Sequence, residues 1–178
     1  MRRWRRSRGR GERGASLVEF ALVLPVLMVL MLGMVSSASA WNKSESMNHG
    51  GQVAARFGST APWPTASVDQ DLWLDDVIDK AIATSSGAID AGAPGRAICV
   101  AYVDPAGANP DKTVSRRMNA AGVRTSATTE CYSDSLPTTA KRVQVVMERQ
   151  STLEIGFLQR TLNLRRTIVY RYEADGGL

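Results

Sequence analysis

The longest apolar stretch of the chain lies near its N-terminus and holds a single carboxylate. From Phe20 to Val35 the chain has 16 residues without a charge, and Glu19 immediately precedes them. About 19–21 helical residues cover the roughly 30 Å hydrocarbon core of a bilayer. The pattern therefore predicts a transmembrane helix that reaches about residues 36–40. Pro25 lies inside this helix and predicts a kink, because proline removes one backbone hydrogen bond.

The apolar pattern beyond the predicted membrane segment favours continuation of the same helix to Phe57. Gly50-Gly51 is the point at which we expect this helix to break. Glycine and proline are concentrated from Gly58 to Pro64, which is typical of a linker or turn. The apolar stripe that follows predicts an amphipathic helix between Asp69 and Ile82, with these residues on one face: Leu74, Val77, Ile78, Ala81 and Ile82.

The C-terminal half shows the alternation of a β-sheet. Ala97–Val103 is a continuous apolar run that suits a buried strand, and Asp104-Pro105 ends it. Further period-two patterns involve Val143, Val145 and Met147, then Leu153, Ile155 and Phe157, then Leu164, Ile168, Tyr170 and Tyr172. We therefore predict an α+β fold, in which a long N-terminal helix precedes a small domain with an antiparallel sheet of three to four strands and one packing helix.

The segment from Asp104 to Lys141 is too long for a bare loop in a compact domain, and we expect a short helix near Ser115–Ala121. Cys99 and Cys131 flank part of it. In an oxidising compartment such a pair is usually a disulfide, which would contribute about 3–4 kcal/mol in the chain-entropy model. Two free thiols are the less favoured alternative. The spacing does not suit a zinc site.

The positive charge of the protein is concentrated in its first 14 residues. This leader has seven arginines and one glutamate, net +6, which leaves 15 basic and 16 acidic residues, net −1, for the remainder. Arginines before an apolar helix favour an N-terminus in the cytoplasm and a single-pass protein whose main domain is extracytoplasmic. We do not expect nucleic-acid binding. The alternative is an ordinary signal peptide cut after Ala38-Ser39-Ala40, although the apolar run is longer than usual for one.

The remaining polar residues do not form a catalytic or metal-binding pattern. His49 is the single histidine, so no His–carboxylate–nucleophile set exists. Asp71, Asp75 and Asp79 recur on one helix face without a glycine-containing calcium loop, which favours a solvated surface. Gly9–Gly14 formally matches a dinucleotide motif but follows arginines and no strand. We expect no enzyme activity, no metal, no cofactor and no small-molecule substrate.

The residues around Glu19 resemble the N-terminal signature of TadE-like proteins, the pseudopilins or minor pilins of the tight-adherence (Flp) pilus system. The resemblance covers about 45 residues from Arg10 to Phe57, and its core is Gly14-Ala15-Ser16-Leu17-Val18-Glu19-Phe20-Ala21-Leu22-Val23-Leu24-Pro25. It implies a pilin-like domain and cleavage by a prepilin peptidase between Gly14 and Ala15. It also implies a role for Glu19 in processing and assembly. The implied partners are other pilins or pseudopilins and the Tad assembly machinery, at the membrane.

A physical reason supports the assembly role of Glu19. A charge in hydrocarbon costs about 2.5–3.5 kcal/mol on insertion scales, so it normally has a partner. The new amine of Ala15 on a neighbouring subunit would be such a partner and would select the register of packed helices. The alternative is that Glu19 simply lies at the headgroup level. Together, the sequence patterns and the resemblance predict four parts of the chain: a leader (1–14), a helix (15–57), a linker (58–67) and an extracytoplasmic domain (68–178).

The resemblance implies surface adhesion but leaves the location of the subunit open among the fibre, its tip and the membrane platform. A second class of function is a secreted or membrane-anchored binding module with an ordinary signal or anchor. The mature N-terminus separates the two classes, since it would be Ala15 for a pseudopilin, Trp41 for a signal-peptidase product and Met1 for an uncleaved anchor.

Overall fold

The computed structural model describes residues 11–105, 112–126, 140–155 and 158–173, without the side chains of 11–13, 112 and 155. Two helices come first, and the strands follow. Their bounds are α1 Gly11–Thr60, α2 Ser67–Thr84, β1 Ala97–Asp104, β2 Lys112–Met118, β3 Arg124–Ser126, β4 Arg142–Ile155 and β5 Leu158–Arg171. The predicted α+β class is confirmed, with five strands in the described residues where three or four were expected.

The strands form one antiparallel sheet in the order β3-β2-β1-β4-β5. The central strand β1 is the predicted buried run, and its Val100 pairs with Arg116 on one side and Val145 on the other. Strands β4 and β5 pair along their whole length, from Arg142–Arg171 to Ile155–Leu158. The two alternating patterns predicted at 143–148 and 153–157 thus belong largely to one strand, and Phe157 lies outside the described residues.

Both helices pack on the same face of the sheet. Met47 of α1, Ile78 of α2 and Val145 of β4 are fully buried in the layer between them. The apolar stripe predicted for α2 is confirmed, since Leu74, Val77, Ile78 and Ala81 are buried and Ile82 packs against the same core. Burial of these side chains supplies most of the free energy that holds the helices on the sheet.

The glycine pair of α1 does not break the helix, contrary to our expectation. Instead Gly50 and Gly51 let α1 approach both of its neighbours. A Cβ on Gly50 would lie 2.9 Å from the carbonyl oxygen of Ala81 in α2, and a Cβ on Gly51 would overlap Ile168 of β5. The helix continues because close packing on two sides outweighs the roughly 1 kcal/mol helix penalty of each glycine.

The prediction of a short helix near Ser115–Ala121 is also wrong, because the first four of these residues belong to strand β2. Val114, Arg116 and Met118 alternate with Ser115 and Arg117 along it. Pairing with β2 satisfies the backbone groups along one side of β1, which a helix at this position would leave without partners.

An aromatic cluster joins the α1–α2 connection to the sheet. Trp63 stacks on Tyr102 with ring centroids 3.9 Å apart, and Tyr102 meets Tyr172 edge to face. The backbone N–H of Trp63 donates to the Tyr172 hydroxyl at 2.6 Å, and that hydroxyl donates to the carbonyl of Ala61 at 3.1 Å. These contacts fix the path of the chain between the two helices.

Candidate assembly and membrane segment

Helix α1 has an apolar surface that nothing else in the described chain covers. Every large apolar side chain from Leu17 to Val35 is exposed, although soluble domains rarely expose a contiguous apolar surface of this size. An 18-residue window here has a mean hydropathy of 2.5, and none of it is buried. Among the described residues, α1 is the one helix long and apolar enough to cross a membrane. We call residues 14–35 the anchor segment.

The residues of the proposed processing site lie at the beginning of this helix. Ala15 and Glu19 are four positions apart and therefore share one side of α1, one turn from each other. Glu19 is exposed, and a Cβ on Gly14 would meet open space. Gly14 and Ala15 are thus reachable from outside the chain, as a substrate of a peptidase has to be. The roles of Gly14, Ala15 and Glu19 in processing and assembly remain predictions.

Pro25 lies within α1, and the residues on both sides of it are helical. The proline therefore does not end the helix. The predicted kink remains a prediction.

Beyond the anchor segment, α1 becomes part of the folded domain. Ala40 is its first buried residue, and Ser44, Met47 and Ser59 are buried further along. The guanidinium of Arg166 in β5 donates to the Ser44 hydroxyl at 3.0 Å. We call residues 40–59 the packed segment. One continuous helix of 50 residues, about 75 Å long, thus has an exposed half and a half held by the sheet.

A contact with the sheet also marks the border between these two halves. The Ser36 hydroxyl of α1 donates to the carbonyl oxygen of Glu154 in β4 at 2.7 Å. Neither this contact nor the Arg166–Ser44 bond was predicted from the sequence. Only the register of β4 and β5 against α1 brings these residues together.

We had interpreted the acidic face of α2 as a solvated surface, but its aspartates form ion pairs with the sheet. Arg116 of β2 contacts Asp71 at 3.1 Å and Asp75 at 2.6 Å, and Arg124 of β3 pairs with Asp75 and Asp79. Hydrogen bonding to Asp79 raises the pKa of Arg124 above its usual value. These ion pairs attach α2 to the sheet edge, so the aspartates have a structural role. No group of three or more potential metal ligands occurs in the described ranges.

Two arginines fasten the segment between α2 and β1. Arg149 donates to the carbonyl of Ala88 at 2.5 Å, and burial lowers the pKa of this guanidinium. Arg96 donates to the carbonyls of Ile89 and Ala120 at 3.2 and 3.0 Å. Both arginines bind backbone oxygens and hold irregular chain in place, a role that the sequence pattern did not indicate.

The remaining predicted residues lie apart from the anchor segment. Cys99 is nearly buried on the face of the sheet opposite the helices, where it packs with Val146. Cys131 lies outside the described residues, so the Cys99–Cys131 pairing stays a prediction. His49 is exposed on α1.

Together these features define a class of protein, in which a single N-terminal apolar helix fits a membrane anchor and continues into a pilin-like α+β domain. Residues 14–56 match the sequence model of the TadE-like protein family. The match begins at Gly14 and ends in the packed segment, and it confirms the resemblance over this part of the chain. It relates this part of the chain to a family that is linked in general terms to Tad pili and whose members are generally structural. No curated protein and no solved structure matched the chain.

Proposed function

We propose that this protein is a TadE-like pseudopilin or minor pilin, a non-enzymatic subunit for the assembly of tight-adherence pili that serve surface adhesion. The observation that carries the proposal is the match over residues 14–56, which starts at the glycine of the expected cleavage site and spans the whole anchor segment. Its partners would be a prepilin peptidase, other pilins or pseudopilins and the Tad machinery.

The two halves of α1 support an assembly role. The anchor segment offers an uncovered apolar surface to lipid or to neighbouring helices, while the packed segment is part of the core of its own domain. A force or displacement applied to the anchor would therefore move the domain as well. This is the arrangement that a subunit needs if its helices pack together and its domains lie outside.

Cleavage between Gly14 and Ala15 would remove the arginine leader and create an amine one helical turn from Glu19. In a bundle of anchor segments, this amine and the Glu19 carboxylate of a neighbour would neutralise each other. Such a pair mainly selects one register, because desolvation offsets much of the attraction. Before cleavage, the leader would hold the N-terminus on the cytoplasmic side.

A cut after Ala40, as expected for a simple secreted binding module, agrees less well with this fold. Ala38-Ser39-Ala40 is helical, and Ala40 is buried. A signal peptidase would have to unwind α1 at the point where it enters the domain.

Identification of the mature N-terminus by mass spectrometry, in cells with and without the prepilin peptidase, tests the proposal. We expect Ala15 only when the peptidase is present. The variant Gly14→Val should block the cut, while Gly9→Val, in the same leader, should not. An N-terminus at Trp41 in the mature protein would contradict the pilin assignment, and an intact Met1 in cells that make pili would contradict processing.

We also propose that Cys99 forms a disulfide with Cys131 in the oxidising compartment outside the membrane. Peptide mapping without reduction should recover the two cysteines in one linked peptide. The matched sample, reduced before alkylation, should give two separate alkylated peptides. Alkylation of both cysteines without prior reduction would contradict the pairing and the extracytoplasmic position of the domain.

A further inference from the structure

The β4–β5 hairpin projects beyond the rest of the sheet. Pairing of β1 with β4 ends at Glu148. On the β1 side of β4, one further backbone hydrogen bond joins the Gln150 N–H to the carbonyl of Pro94. Past this point, residues 151–155 pair only with residues 158–162. We call these two stretches the hairpin end. Each strand of the hairpin has 14 residues and is on the order of 46 Å long.

The hairpin end runs alongside α1 toward the anchor segment. The Ser36–Glu154 hydrogen bond of 2.7 Å places it next to the helix residue that follows Val35, the last large side chain of the exposed apolar run. From Leu17 to Ser36 the helix rises about 29 Å, which matches the hydrocarbon thickness of a bilayer. If α1 spans a membrane, the hairpin end therefore lies at the extracytoplasmic surface of the bilayer.

The two faces of the hairpin end differ in polarity. Side chains alternate along a strand, and Met147 and Ile168 both face α1 at Gly51. The same face carries these side chains farther along: Leu153 on β4, and Leu158, Arg160 and Leu162 on β5. The opposite face pairs Thr152 with Thr161 and Glu154 with Gln159. The apolar face of the hairpin end is thus on the helix side, and its outer face is polar.

The two β5 leucines of this apolar face are exposed, whereas Leu153 on β4 is partly buried. Leu158 is 57% exposed and Leu162 is 39% exposed, whereas Ser151, directly across from Leu162, is 2% exposed. Strand β4 therefore lies against the helix, and the leucines of β5 extend the uncovered apolar surface of the anchor sideways. Arg160 is exposed between them, at the depth where lipid phosphates would lie.

We propose that the hairpin end is a second membrane contact, which inserts Leu158 and Leu162 into the headgroup region of the outer leaflet beside the anchor helix. The occupant of this surface is a phospholipid bilayer. Apolar leucines with an arginine between them, level with the end of a membrane span, are typical of an interfacial segment. Contact at two points would restrain the tilt of α1 and of the domain relative to the plane of the bilayer.

This inference rests on the membrane anchoring in the proposed function, and the experiment separates the two. The full chain is reconstituted in vesicles of phosphatidylcholine and phosphatidylglycerol with an environment-sensitive fluorophore on one introduced cysteine. The positions are Leu158→Cys in the hairpin end, Thr167→Cys on the outer face of the same strand, and Val26→Cys in the anchor. The unaltered chain gives the labelling background of Cys99 and Cys131. A second hairpin variant, Leu162→Cys, repeats the measurement, so that the result does not depend on the substitution at Leu158 alone.

We expect blue-shifted emission and quenching by lipids with brominated acyl chains at 158, 162 and 26, and neither effect at 167. Water-like, unquenched emission at 158 and 162 together with quenching at 26 would overturn the hairpin contact and leave the anchor intact. An emission shift at 158 that rises with the protein-to-lipid ratio but shows no lipid quenching would also overturn it, since it would indicate a neighbouring protein. Absence of quenching at 26 would overturn the anchoring itself, and the proposed function with it.

Discussion

Gly50 of α1 lies against Ser85 at the end of α2, so closely that a Cβ on Gly50 would be 2.9 Å from the Ser85 Cα. We predict that Gly50→Ala destabilises the domain by about 1–3 kcal/mol, because the atoms it would meet belong largely to the backbone and cannot rotate away. The better helix propensity of alanine, about 1 kcal/mol, offsets only part of this cost. Thermal unfolding of the full chain in detergent, followed by near-UV circular dichroism, measures the change.

Gly92→Ala is the matched control for this substitution, since nothing lies within 4 Å of a Cβ at Gly92. It should change the unfolding temperature little. Equal stability of the Gly50→Ala variant and the unaltered protein would show that α1 and α2 are not in such close contact.

The pattern of apolar and polar residues predicted the elements whose structure depends mainly on residues within one segment. The long α1, the stripe of α2 and the apolar β1 follow from periodicity within one stretch of residues. Strand β2 did not, because its basic and polar residues become a strand only when β1 provides a partner. The pair Gly50-Gly51 likewise favours a helix break in isolation, and only the contacts with α2 and β5 explain why α1 continues.

The candidate site shows the same division. Gly14, Ala15 and Glu19 lie within one short motif, so the sequence was sufficient to select them. The Ser36–Glu154 contact joins residues 118 positions apart and depends on the register of β4 and β5 against α1. The ion pairs of Asp75 depend in the same way on the position of β2 and β3. Long-range geometry of this kind leaves no local pattern to recognise.

Tyr172→Phe should destabilise the domain by about 1–3 kcal/mol, because it removes the hydroxyl that accepts from the Trp63 N–H and donates to the Ala61 carbonyl. Both backbone groups would then lose this partner in a partly buried place. Tyr170→Phe is the matched control, since Tyr170 is 36% exposed and Tyr172 only 6%. Urea unfolding monitored by tryptophan fluorescence measures the difference. Equal midpoints for the two variants would contradict a structural role of the Tyr172 hydroxyl.

Asp75→Asn should cost about 1–2 kcal/mol of stability, since it removes the charge that Arg116 and Arg124 share. The side chains of Asp75 and Arg116 are both 18% exposed, so solvent screens this pair less than most surface pairs. Asp76→Asn, at an exposed neighbouring position, should cost less. A double-mutant cycle of Asp75→Asn with Arg116→Met should give a favourable coupling energy. Simple additivity of the two substitutions would show that the carboxylate and the guanidinium do not stabilise each other.

Glu19→Gln removes the charge of the anchor segment while it keeps the shape of the side chain. If Glu19 pairs with the amine of Ala15 on a neighbour, the variant should insert into the membrane normally, because insertion depends on the apolar residues, yet it should fail in processing or in assembly. Membrane fractionation, the mature N-terminus and the amount of protein in sheared pili measure these three steps separately. Glu45→Gln is the control on the same helix, since Glu45 forms an ion pair with Arg166 within its own domain at 3.6 Å. It should leave all three steps unchanged. Normal pili from Glu19→Gln would leave only a headgroup position for this carboxylate, whereas loss of membrane insertion would show that Glu19 acts before assembly begins.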